Sequence, residues 1–293
     1  RSRDDIVLNV ASSGIAALLL PDGRTAHCRF CIPINVDEYS TCTIHPNNHL
    51  AQLIAKARLI IWDEAPMMHK YCFEAIDRTL RDILTPYDER NKHIPFGGKV
   101  VVFGGDFRQI LPVIPKGTRQ AVVNASINSS RIWHHCEVLT LITNMRLLYG
   151  SVGQDLHERK MFSYWVLGIG DGSIGDIDDG DINLRIPDDI LIQRSDDPIV
   201  SIVTAIYPSI IDNMKDPTFF QDRAILTPKN SIVDLINEYM LSLIDGEDKV
   251  YLSYDSPEND SSGFDRPDDI YTPEFLNTIT CSGLPNHKLK LKV

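Results

Sequence analysis

Two apolar runs of strand length, each closed by an acid, constrain this chain more than any other feature. Arg58 to Trp62 runs into Asp63-Glu64, and Lys99 to Phe103 runs into Gly104-Gly105-Asp106. Continuous apolar runs, as opposed to alternating ones, mark strands covered on both faces, the signature of a parallel sheet sandwiched between helices. Ile6 to Ala11 is a third short run, and Ser12-Ser13-Gly14 leads from it into a predicted helix over Ile15 to Leu20. Leu50 to Ala57 also reads as helical. From Met67 to Leu84 the apolar positions Met68, Cys72, Phe73, Ile76, Leu80, Ile83 and Leu84 recur at three- and four-residue spacing, which predicts an amphipathic helix that Pro86 ends. Val138 to Ile142 is a further strand candidate.

Strands alternating with helices over residues 1–148 predict a doubly wound α/β domain with a mostly parallel sheet. Residues 149–222 read as a helical and acidic-loop connector. Alternation resumes over 223–293, with a strand at Arg223 to Thr227, a helix at Ile232 to Ile244 and a strand at Lys249 to Ser253, so a second, partial α/β domain is expected there. No run approaches 18 consecutive apolar residues, and six cysteines are scattered over 293 positions. These predict a soluble protein with reduced thiols, without a signal peptide and without a membrane partner.

The net charge of −11 argues against a polyanionic partner only if it is spread evenly, and it is not. Residues 1–148 hold 17 Lys and Arg against 14 Asp and Glu, while 149–293 hold 12 against 26. The acid collects in loop-like stretches, Asp171 to Asp181 and Asp255 to Asp269, which read as solvated surface.

Ligands of open parallel sheets bind at the carboxyl ends of the strands, where Asp63, Glu64 and Asp106 fall. Adjacent carboxylates can divide labour, one holding a hydrated Mg²⁺ and the other polarising a water. Taken alone, Asp63-Glu64 reads equally as an exposed turn or helix cap. Gln109 offers an amide near Asp106 that could sense a phosphate or a water, and Arg146 a guanidinium for developing phosphate charge, or else a surface ion pair. His27, Cys28, Cys31, Cys42, His45 and His49 crowd into a spacing that zinc could use. Trp62 and the pair Met67 and Met68 read as core. Trp133 leaves base stacking and packing both open.

Four ordered blocks turn these readings into a resemblance. Val10-Ala11-Ser12-Ser13-Gly14-Ile15-Ala16-Ala17, Gly23-Arg24-Thr25-Ala26-His27, Ile61-Trp62-Asp63-Glu64-Ala65-Pro66-Met67 and Gly104-Gly105-Asp106-Phe107-Arg108-Gln109-Ile110-Leu111-Pro112-Val113 resemble, in order, motifs Ia, II and III of superfamily 1 DNA helicases of the petite-integration-frequency (Pif) type. The Asp-Glu-Ala-Pro-Met form is similar to the plant and Helitron-transposon branch. Thr143-Asn144-Met145-Arg146 resembles the segment with the motif IV arginine. Ala224 to Asn230, Thr272 to Asn277 and Ser282 to Pro285 resemble the second motor domain.

The resemblance implies an ATP-dependent DNA helicase built from RecA-like domains, with ATP as substrate, Mg²⁺ as cofactor, and single-stranded DNA at a duplex junction as partner. Asp63 would hold Mg²⁺ through water and Glu64 would activate the hydrolytic water. Gln109 and Arg146 would contact the γ-phosphate, with Asp106 beside them in the nucleotide site. Ser13, Gly14, Thr25 and His27 would lie near the DNA strand. Roles in repair, recombination, telomere maintenance or transposition follow, as does a nuclear or mitochondrial location, although no targeting signal is legible. The family's Gly-Lys-Ser/Thr phosphate loop belongs upstream of the Ile6 strand; no Gly-x-x-x-x-Gly-Lys-Ser/Thr occurs in the chain, and only Arg1 to Asp5 precede that strand. The expectation is a fragment that also stops short of the last C-terminal motifs and hydrolyses ATP negligibly alone. Two other readings remain open: a non-catalytic remnant that binds DNA or protein, and an unrelated magnesium-dependent hydrolase.

Overall fold

A computed structural model describes residues 5–148, 154–178, 181–192, 196–221, 223–254, 277–278 and 287–292. The chain forms two compact units, one built on residues up to Asp176 and the other from Ile177 onward.

The first unit is organised by four parallel strands, β1 (Val7–Ala11), β2 (Arg24–Thr25), β3 (Leu59–Asp63) and β4 (Val100–Phe103), in the order β2-β1-β3-β4. Ala11 pairs with both Thr25 and Asp63, and Trp62 with Phe103, so all four carboxyl ends reach one edge of the sheet. Among the described residues no strand lies along the far side of β4, where Val100 and Val102 are exposed. The expected α/β class is the observed one. Helices α1 (Gly14–Leu18), α2 (Ala26–Phe30) and α3 (His49–Lys56) connect the strands. Helix α4 (Lys70–Leu84) buries the predicted apolar face, Cys72, Phe73, Ile76, Leu80, Ile83 and Leu84. It begins at Lys70, later than the apolar spacing predicts, because Pro66 sits in a 3-10 turn, Ala65–Met67, and His69 then caps the helix by accepting the Tyr71 N–H at 3.1 Å.

Trp62 is 1% exposed and packs against Phe73 at 4.7 Å between ring centroids, Phe103 at 5.9 Å and Phe30 at 6.1 Å. Met68 is buried, in accord with its reading as core, while Trp133 is partly buried and meets Phe107 edge-on. One acid joins this core. Asp77, fully buried on α4, accepts the Phe96 N–H at 2.6 Å and Arg81 Nε at 3.0 Å.

Helices α5 (Arg119–Ala125) and α6 (Gln154–Gly170) complete the first unit. It extends past residue 148, since Asn144 Nδ2 donates to Ser163 Oγ on α6 and Arg108 pairs with Asp171 just beyond it. A short two-stranded sheet of β5 (Asp176–Asp178) and β6 (Asp181–Asn183) follows. The second unit contains α7 (Pro198–Ile206), α8 (Ile210–Asn213), α9 (Pro217–Gln221) and α10 (Asn230–Ser242), with Tyr207, Ile210 and Phe219 as a small core. Its strands β7 (Asp248–Leu252) and β8 (Lys288–Lys292) pair antiparallel.

Two strand expectations fail. Val138 to Ile142 is not a strand, and Leu141 and Ile142 are almost wholly exposed: an apolar run becomes a strand only where a ladder partner lies alongside, and none of the described strands does. Arg223 to Thr227 is likewise irregular; the Arg223 carbonyl accepts the Tyr207 hydroxyl at 3.0 Å and Ile225 packs on the small core, so tertiary contacts use what a ladder would have used. The acidic stretch Asp255 to Asp269, residues 272–276 of the motif resemblance at Thr272 to Asn277, and the one at Ser282 to Pro285 lie outside the described residues.

Candidate active site

Strand β3 delivers Asp63 to the carboxyl edge, and the chain then turns sharply at Glu64, which adopts left-handed backbone angles (φ 52°, ψ 40°). That region costs a non-glycine residue on the order of 1 kcal/mol, so the turn is held by its surroundings. The Glu64 N–H donates to Asp63 Oδ1 at 3.1 Å, and the Ala65 N–H to the Gly104 carbonyl at 2.9 Å. Gly105 (φ 152°) is required by close approach: a Cβ there would lie 2.3 Å from Pro66 Cδ. The loop after β4 is thereby pressed against the turn after β3, bringing Asp106 into the company of Asp63 and Glu64.

The electrostatics follow from that crowding. Burial, then the neighbouring Asp63 and Asp106 charges, push the Glu64 carboxyl above the usual range. Its Oε2 is buried and has no hydrogen-bond partner. A carboxylate with an unoccupied lone pair and a raised pKa is suited to accept a proton from a water. Asp106 Oδ1 accepts the Arg108 N–H at 2.9 Å, while the Arg108 side chain spans Asp106 at 3.4 Å and Asp171 at 2.5 Å. Gln109 is exposed one residue on, its N–H bonded to the Asp106 carbonyl at 3.1 Å. Arg146 stands apart: it lies exposed on a 3-10 turn, Met145–Leu148, and none of the described contacts joins it to these acids.

The acids fit a magnesium ion only in an open mode. Among the described residues no three His, Cys, Asp or Glu side chains are grouped to cage a metal. Mg²⁺ characteristically takes one or two carboxylates and completes its shell with water and phosphate oxygens, and the unpartnered Glu64 oxygen beside Asp63 leaves room for that arrangement. Zinc is a poorer match to the cysteines. Of the candidate ligands Cys42 is buried while Cys28 is exposed, and among the described residues no three of them are grouped to hold a metal.

The four positions expected near DNA share the same edge. Ser13 follows β1 and caps α1, its Oγ accepting the Ala16 N–H at 3.2 Å; Thr25 ends β2 and caps α2 through the Cys28 N–H at 3.3 Å. His27 is exposed on α2. Both hydroxyls thus have structural duties as acceptors, and among the described residues neither donates a hydrogen bond. Gly14 is more telling. A Cβ added there meets nothing within 4 Å, so nothing among the described residues demands glycine, whereas one at Gly23 would lie 2.2 Å from the Ala17 carbonyl. Gly23→Ala should therefore cost about 1–3 kcal/mol in urea denaturation, and Gly14→Ala should be close to neutral there. Equal losses would show that Gly14 is structural after all.

Residues 1–180 match the PIF1-like helicase family. The chain belongs to that family. Among curated PIF1-like proteins it is 32% identical over 115 residues to ATP-dependent DNA helicase PIF4 of Trypanosoma brucei brucei (strain 927/4 GUTat10.1), covering 38% of this chain and 13% of that protein. It is 27% identical over 257 residues to ATP-dependent DNA helicase Pif1 of Psychrobacter sp. (strain PRwf-1), covering 86% and 33%. The chain therefore spans a third or less of these relatives. Among solved structures it is similar to Pif1 helicase from Candida albicans (TM-score 0.53, 18% identity, 98% of this chain and 53% of that one) and to Pif1 helicase from Bacteroides in complex with ADP-AlF3 and ssDNA (TM-score 0.52, 18% identity, 87% and 51%). These likenesses show the fold, that of RecA-like PIF1 helicases. The PIF1-like stretch holds every position singled out above, from Ser13 to Arg146.

Sequence reasoning missed two participants in this PIF1-like site. Ser12 accepts the Trp62 indole N–H at 3.0 Å across 50 residues, and Arg108 ties the Asp106 loop to Asp171. Both lie in motif blocks, which is the only signal that could have drawn attention to them.

Proposed function

We propose that this chain supplies the water-activating and strand-gripping edge of an ATP-dependent DNA helicase. One observation carries the reading: the buried, unpartnered oxygen of Glu64, flanked by Asp63 and Asp106, lies at the same sheet edge as the Ser13-Gly14 and Thr25 turns. Glu64 accepts a proton from water as the water oxygen attacks the γ-phosphorus of ATP and the bond to the bridging oxygen breaks. Asp63 would hold Mg²⁺ through water, and the ion when bound would neutralise charge on the phosphate oxygens. Gln109 would report on the γ-phosphate, and Arg146 would reach it only by a rearrangement of its turn.

The strand partner is single-stranded DNA next to a duplex junction, gripped through its backbone by Ser13, Gly14, Thr25 and His27. Open space over Gly14 and the basic balance of residues 1–148 support this. The Asp-Glu-Ala-Pro-Met sequence supports the plant and Helitron branch, and with it work in transposition, repair, recombination or telomere maintenance on nuclear or mitochondrial DNA. The chain has no Gly-x-x-x-x-Gly-Lys-Ser/Thr, so alone it should hydrolyse ATP negligibly.

Strand binding is testable on the chain itself. A fluorescent oligo-dT should bind weakly, with log affinity falling linearly against log salt at a slope of about −0.7 per phosphate contacted. Gly14→Ala should weaken it at unchanged stability. Absence of binding at low salt, or binding indifferent to salt, would count against the DNA reading.

A further inference from the structure

Trp62 stands directly before Asp63-Glu64 and contacts Ser12, the residue before the Ser13-Gly14 turn, and Phe30 on α2, the helix that Thr25 caps. Its indole Nε1–H donates to Ser12 Oγ at 3.0 Å, and its ring stacks on Phe30, the last residue of α2, whose first turn carries His27. Ser12 is bound a second time: its own N–H donates to the Asp63 carbonyl at 3.0 Å. Ser13, the next residue, caps α1. On the other side the Trp62 carbonyl accepts the Gly104 N–H at 2.8 Å, and the Gly104 carbonyl accepts that of Ala65. A continuous run of bonds therefore joins the Ser13-Gly14 turn to both carboxylate loops.

The chemistry of the link is specific. At 1% exposure the indole N–H cannot exchange its partner for water, and leaving it unmade costs about 1–3 kcal/mol. A phenylalanine or aliphatic residue would fill the same core without fixing Ser12. Displacement of Ser12 by a strand lying on the neighbouring residues must be followed by the indole or must break its bond, and either event is felt at the residues adjoining Trp62 in sequence, Asp63 and Glu64.

We propose that Ser12 and Trp62 are a positioning pair that sets the Asp63-Glu64 turn according to whether a DNA strand occupies the Ser13-Gly14 turn. The inference rests on the DNA reading above and adds the path by which the strand reaches the carboxylates. A merely structural role would hold the turn equally with and without DNA.

The test uses the ¹⁵N-labelled chain and oligo-dT, with binding followed separately by fluorescence anisotropy. Oligo-dT should move the Trp62 indole resonance, identified by its loss in Trp62→Phe, together with the amide resonances of Glu64 and Gly104. In Ser12→Ala the Glu64 and Gly104 shifts should be lost while the oligonucleotide still binds, and Ser12→Thr, which keeps the hydroxyl, should restore them. Trp62→Phe, which keeps the ring packing, should reproduce the loss and replaces Ser12→Ala if that variant does not fold. Binding without movement of these resonances in the parent, or parent-like movement in Ser12→Ala, overturns the positioning pair and leaves the DNA reading intact. No binding by the parent overturns both.

Discussion

Glu64→Gln should reduce DNA-stimulated ATP hydrolysis by about 10²–10⁴-fold, the usual contribution of a positioned general base. The measurement belongs in a version of the chain joined to a Gly-Lys-Ser/Thr loop, with steady-state phosphate release followed in the presence of oligo-dT. Glutamine matches glutamate in shape but cannot take the proton of the attacking water, so kcat should fall with little change in KM for ATP. Hydrolysis at the parental rate would remove Glu64 from the mechanism. The same substitution should stabilise the fold. Because the folded-state pKa of Glu64 is raised, first by burial and then by Asp63 and Asp106, the folded chain binds the proton more tightly than the unfolded one. Stability is therefore lost as pH rises from the unfolded value through the folded one. Glutamine carries no such penalty, so the gap in Tm between variant and parent should open across that window and stay constant above it.

Asp77→Ala should cost about 3 kcal/mol, or roughly 10 °C in Tm for a unit of this size. The carboxylate is fully buried, and one oxygen serves both the Phe96 N–H at 2.6 Å and Arg81 Nε at 3.0 Å. Its other oxygen has no hydrogen bond and lies 3.8 Å from Arg131. Phe96 itself is held at φ 53° with its ring 5.9 Å from Phe103, so losing the acceptor releases a strained turn packed beneath β4. Asp77→Asn keeps one acceptor and should lose less. Thermal melts followed by circular dichroism decide it, and an alanine variant within 1 °C of the parent would mean the turn finds another partner, against the roughly 10 °C expected.

The features read most directly from sequence are those decided within a few residues. β3 and β4 are legible as continuous apolar runs, although only β3 is buried at alternate positions in the core and β4 leaves Val100 and Val102 exposed, and Asp63, Glu64 and Asp106 fall where parallel strands end. Val138 to Ile142 has the same local composition and is no strand, because a strand is a relation between two segments and only one is visible in a run of letters. Asp77 looks like the polar face of an amphipathic helix; its burial depends on a backbone N–H 19 residues away. The Ser12–Trp62 bond spans 50 residues and leaves no periodic trace. Arg146, expected at the γ-phosphate from its motif alone, lies exposed on its 3-10 turn, and none of the described contacts joins it to the acids.

The bare flank of β4 bears on how such a chain behaves outside any larger assembly. Val100 and Val102 stand exposed on a strand whose outer N–H and C=O groups face no neighbouring strand among the described residues. Peptide groups in that state are adhesive to any extended segment, a second copy's included, and valine rewards the contact. Crowding is thus the hazard for this molecule: dilution keeps the sheet to itself, and concentration invites strangers into its ladder.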